Sequence, residues 1–170
     1  MFHVTHSLIK KTGIAVLATL CALGSPLASS AWAANCTWNP ATGNWNVAGL
    51  WSCGVIPGGA DSATIGGGKT VTVNDARVIL TLNNAGAINI DAFSLTLGGG
   101  GTTNTGGVIN IANASLLNQS GQSITGGTIN STGTGALVAN NSGSNFLNGV
   151  TINGRLDMAT ATGIERISSG

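Results

Sequence analysis

The sequence predicts an all-β fold, a right-handed parallel β-helix with coils of about 20 residues behind a disulfide-tied, Trp-rich N-terminal cap. Two observations carry that expectation. From Ala63 onward, short apolar alternations ("KTVTV", "RVILTL", "GAINI", "FSLTL", "GVINI") are separated by clusters of Gly, Asn, Ser and Thr. Alternation at period two marks strands, and the clusters between them are turn formers. The alternations also repeat in two parallel tracks. Ile88, Ile109, Ile129 and Ile152 recur at intervals of 21, 20 and 23, each followed by Asn, at Asn89, Asn110, Asn130 and Asn153. Leu95, Leu116, Leu137 and Leu156 recur at intervals of 21, 21 and 19.

Stacking explains why such a period is useful. One coil cannot bury its apolar side, but stacked coils place Ile on Ile and Leu on Leu along a narrow core. The recurring Asn residues are read as turn positions, either forming a side-chain amide ladder from coil to coil or simply facing solvent. Leucine-rich repeats have a similar period but require Leu at several fixed offsets and a helical side, both missing. A β-sandwich of hairpins is the alternative fold, because antiparallel strands also alternate and turn often.

Composition agrees with a turn-rich β-protein. Of 170 residues, 42% are hydrophobic and only 6% charged, with 27 Gly and no Tyr. Disordered chains combine few apolar residues with many charges, the opposite balance.

In chain order, residues 1–33 read as a signal peptide. Lys10 and Lys11 precede the apolar run "TGIAVLATLCALG", and "SPLASSAWA" ends in the small-x-small site Ala31-Trp32-Ala33. The apolar run falls short of the roughly 20 residues that span a bilayer, and neither Leu20 before Cys21 nor Asn35 before Cys36 suits lipid attachment. Removing the leader leaves Lys69, Arg77, Arg155 and Arg166 against Asp61, Asp75, Asp91, Asp157 and Glu165. No basic patch for nucleic acid or anionic lipid survives, and no membrane span remains after cleavage.

The next element, residues 34–62, is expected to cap the stack. It holds Trp38, Trp45 and Trp51, together with Cys36 and Cys53. Cys21 leaves with the leader, so export and an even count favour a Cys36–Cys53 disulfide over two free thiols. The end of a solenoid exposes edge backbone groups and needs cover, and aromatics supply large buried area in a short segment. The same three Trp could instead present ring faces to a glycan. Residues 63–170 then form the repeats, and the close at "GIERISSG" reads as a truncation within the repeat pattern.

Gly43-Asn44-Trp45, then Trp51-Ser52 with Gly54, Pro57 and Asp61, followed by Ile65 and the strand "TVTV", resembles the start of the exported region of bacterial β-helical surface proteins. These are the autotransporter passengers and related adhesin-like proteins. The similarity covers residues 36 to about 75 by motif and the rest by style. It implies a non-enzymatic secreted or cell-surface segment, outer membrane-associated or extracellular, that meets a host or neighbouring-cell surface or a glycan. It also implies a C-terminal membrane β-barrel anchor, which is expected to be missing from this sequence.

Chemistry is sparse. Both His, His3 and His6, lie in the leader, which leaves no Ser-His-Asp or Cys-His arrangement and no His-based zinc site in the remainder. The five carboxylates are spread thinly; only stacking of adjacent coils could bring Asp75 near Asp91, and a glycosidase pair is not expected. "GGGKT" at 66–70 lacks the spacing and following helix of a phosphate loop. "NGR" at 153–155 reads as a turn. No cofactor and no catalytic residue are expected. A small carbohydrate-binding module centred on Trp38, Trp45 and Trp51 is the alternative to the surface-protein reading.

Overall fold

The computed structural model describes residues 32–160 and 162–168; residues 1–31 of the expected leader lie outside them. Two short strands open the chain, β1 (Asn35–Thr37) and β2 (Thr42–Asn44), followed by a 3-10 turn at Ala48–Leu50. The first full coil is β3 (Ser62–Ile65), β4 (Thr70–Val73) and β5 (Arg77–Ile79). The second is β6 (Thr81–Asn84), β7 (Ala87–Ile90) and β8 (Ser94–Gly98), and the third β9 (Thr102–Thr103), β10 (Val108–Ile111) and β11 (Leu116–Ser120). The fourth is β12 (Ser123–Thr125), β13 (Thr128–Ser131) and β14 (Ala136–Ala139), and the fifth β15 (Phe146–Asn148), β16 (Thr151–Asn153) and β17 (Leu156–Asp157). A last strand, β18 (Arg166–Ser168), lies on β15.

Equivalent strands stack into three sheets, of seven strands (β1-β3-β6-β9-β12-β15-β18), six (β16-β13-β10-β7-β4-β2) and five (β17-β14-β11-β8-β5). Among the described residues every strand pairing is parallel, and the lone antiparallel bridge joins Trp38 to Trp51. Hairpins would make neighbouring strands antiparallel, so the molecule is a parallel β-solenoid of about five turns and not a sandwich.

The Ile track falls in register. Ile88 stacks on Val71, Ile109 on Ile88, Ile129 on Ile109 and Ile152 on Ile129. The first three Ile are buried, whereas Ile152, at the end of the stack, is half-buried. Each fully buried Ile contributes about 1.5–3 kcal/mol of transfer free energy.

The Leu track needs one correction. Leu95, Leu137 and Leu156 stack as expected, but the partner between them is Leu117, not Leu116. Leu117 is fully buried and Leu116 points outward, 38% exposed. The turn between β10 and β11 carries one residue more than that between β7 and β8. Side chains alternate faces along a strand, so a shift of one residue exchanges inside for outside.

The Asn positions need another. Asn89, Asn110, Asn130 and Asn153 lie within β7, β10, β13 and β16, not at turns. With Ile turned inward, the Asn after it must face out.

At the corner that leads into the six-stranded sheet, Gly86, Gly107 and Gly127 precede β7, β10 and β13. A Cβ on Gly107 would overlap the Asn84 carbonyl oxygen, and one on Gly127 the Asn104 carbonyl oxygen; Gly127 also has φ +71°. The close approach of successive coils at this edge therefore requires glycine.

Candidate functional site

At the N-terminal end, the aromatic cluster grows out of the sheets. β1 stacks on β3, which places Cys36 against Ala63, and β2 stacks on β4. Cys36 and Cys53 form a disulfide. Trp38, Trp45 and Trp51 are 0%, 0% and 2% exposed. Their rings pack on one another, with Trp51 edge-on to Trp38 at 5.0 Å between centroids and tilted to Trp45 at 4.8 Å. Trp45 Nε1 donates to the Pro57 carbonyl at 3.3 Å and Trp51 Nε1 to the Trp45 carbonyl at 2.9 Å. The Asp61 carboxylate accepts from the Ala34 and Gly58 amides, and Lys69 Nζ donates to the Trp38 and Asn39 carbonyls. Enclosed in this way, the three indoles present no exposed ring face.

The outer face of the six-stranded sheet carries an amide ladder. Asn110 Nδ2 donates to Asn89 Oδ1 at 2.9 Å, Asn130 Nδ2 to Asn110 Oδ1 at 2.9 Å, and Asn153 Nδ2 to Asn130 Oδ1 at 3.1 Å. The column continues in register through Thr72 and Asn44 toward the cap. Beside it runs an open groove of about 350 Å³ whose floor is Thr72, Asn89, Asn110 and Asn130 and whose wall is Asp91, Ala112 and Thr132. The wall rises where the chain turns from the six-stranded to the five-stranded sheet. Ala92 and Ala114 adopt left-handed backbone there (φ 59° and 60°), and Asn113 Oδ1 accepts from the Thr134 amide at 2.9 Å.

A second ladder lies inside. Buried Asn84 donates from Nδ2 to Asn104 Oδ1 at 2.8 Å and accepts from the Gly86 amide at 3.1 Å. Where the third coil passes into the fourth, Gln119 Nε2 donates to the Gln122 carbonyl and Gln122 Nε2 to Thr102 Oγ1. Neither group was legible as a site in the sequence; the only signal was Asn and Gln recurring at strand ends.

The carboxylates are placed apart. Asp75 pairs with Arg77, and Asp157 with Arg155. Hydrogen bonds from the Thr160 amide and hydroxyl, with lesser help from the Ala159 amide and Arg155, hold the Asp157 carboxyl below its ordinary range. Asp91 stands in the groove wall, its amide donating to the Val73 carbonyl. Glu165 turns inward at the last coil with both carboxylate oxygens buried, and burial, opposed in part by the Arg166 amide, pushes it up to about 7. Among the described residues no three His, Cys, Asp or Glu side chains are grouped to hold a metal ion, and no helix is long and apolar enough to cross a membrane.

Comparison with protein-family models, with curated proteins and with solved structures finds no match to this chain.

Proposed function

We propose that the chain is a non-enzymatic structural and contact segment of an exported surface protein, of the kind that autotransporter passengers and β-helical adhesin-like proteins build. The observation that carries this reading is the construction itself: successive coils of parallel strand stacked behind a buried aromatic cluster. Each coil adds one strand spacing, so about five turns extend the chain by roughly 24 Å. A rod lengthened coil by coil separates a contact face from an anchor without needing a wider core. The disulfide supports an oxidising destination. Asp61, Asp75 and Asp157 are engaged in holding loops and the cap, and the resemblance over residues 36 to about 75 points the same way.

The test is display on the producing cell. Antibody raised against the purified chain is expected to label intact cells, and Cys36 and Cys53 to resist alkylation until reduced. Labelling only after permeabilisation, with both thiols freely alkylated, would overturn the reading.

A further inference from the structure

We propose that the groove beside the Asn column binds a linear, uncharged polysaccharide in extended form, laid along the solenoid axis with successive sugar rings over successive strands. The proposal rests on the reading of the chain as an exported contact segment, which brings this face to such polymers.

The first argument is unused hydrogen-bonding capacity. A primary amide has two N–H donors and an oxygen with two lone pairs. In Asn89, Asn110 and Asn130 the ladder consumes at most one donor and one lone pair per residue. What remains is one acceptor site and at least one donor on every rung, half-buried on the groove floor. Sugar hydroxyls both donate and accept, and they match that mixture. The ladder also fixes the side chains before any ligand arrives, so little rotamer entropy is lost on binding.

Spacing is the second argument. Parallel strands repeat every ~4.8 Å across the sheet, close to the length of one ring in an extended, equatorially linked polysaccharide. An extended peptide repeats its side-chain pattern every two residues, roughly 6.6 Å, and falls out of step within two rungs. Peptides also add to free strand edges, whereas this groove crosses the middle of a paired sheet on β4, β7, β10 and β13.

Charge then narrows the ligand. The groove carries a single ionisable side chain, Asp91, and no Lys or Arg. Anionic polymers, which depend on basic side chains for affinity, have nothing to pair with here.

Calorimetric titration of the full chain with its disulfide formed tests this, using linear glucan, mannan and xylan oligomers of two to six rings and an oligogalacturonate as the anionic contrast. At least one neutral series is expected to bind with affinity that rises ring by ring to about four rings, one per strand spacing, and then levels. Raising the salt should leave that affinity unchanged. Asn110→Val removes one rung and should weaken binding by roughly threefold to tenfold. Thr132→Arg fills the groove from its wall without touching the ladder, and should abolish binding with the melting temperature retained; it decides the matter if Asn110→Val fails to fold. No binding by any neutral series, preference for the oligogalacturonate, or full binding by Thr132→Arg would overturn the proposal. Cell-surface labelling is a separate readout, so failure of this ligand leaves the display result standing.

Discussion

Removal of the Cys36–Cys53 disulfide is the most quantitative perturbation the structure offers. The bridge spans a sequence separation of 17 and encloses β2, the 3-10 turn and all three cap indoles. In the chain-entropy model a loop of this length removes about 11 cal/mol/K from the unfolded ensemble, or ~3 kcal/mol at 25 °C. Cys36 is buried against Ala63, and Ala at that position leaves a void of about one sulfur atom, so the double variant Cys36→Ala/Cys53→Ala should lose slightly more than the entropic figure. Solenoid stability is a sum of coil and interface contributions, so the loss falls first on the cap and the coil beneath it. Tryptophan fluorescence reports this directly, because three of the four Trp lie in the cap and the fourth, Trp32, is exposed. With an m-value near 2 kcal/mol/M in urea, the fluorescence midpoint is expected to fall by about 1.5 M. A midpoint lowered by less than about 0.3 M at unchanged m would refute the reasoning, since the bridge would then constrain a segment already ordered without it.

Other outcomes follow from single side chains. Trp45→Ala empties a fully buried site and breaks the bond to Pro57, so a loss of about 3–5 kcal/mol in urea unfolding is expected; a near-neutral variant would refute the cap's role. Gly127→Ala should cost at least about 1–2 kcal/mol, from the left-handed backbone alone, and more as the Asn104 carbonyl is displaced; unchanged stability would mean the coils do not approach as closely as described. Glu165 gives a pH dependence of definite sign. Its carboxyl is raised from 4.5 to about 7 in the folded chain, so stability is full below about 4.5, where both states are protonated, and is lost as pH rises through about 7. Amide exchange across β18, corrected for intrinsic rate, should therefore be slower at pH 5 than at pH 8, and Glu165→Gln should remove the difference; equal protection in the parent chain would sink the assignment.

The coil period, the strands and the inward Ile residues were legible in the sequence because they depend on local alternation and on a repeat, which the chain writes out residue by residue. Pairing of Cys36 with Cys53 was legible for a different reason: once Cys21 is set aside only two thiols remain. The choice between Leu116 and Leu117 was not, because one added turn residue reverses the facing of the next strand, and only the register with Leu95 and Leu137 decides it. Tertiary packing alone settled that the three Trp are enclosed, that the Asn column lies mid-strand and bonds coil to coil, that the turn wall makes a groove beside it, and that Glu165 faces inward. The Asn column relates residues some 20 positions apart in the chain and one strand spacing apart in space, and no local pattern encodes which neighbours the stack will bring together.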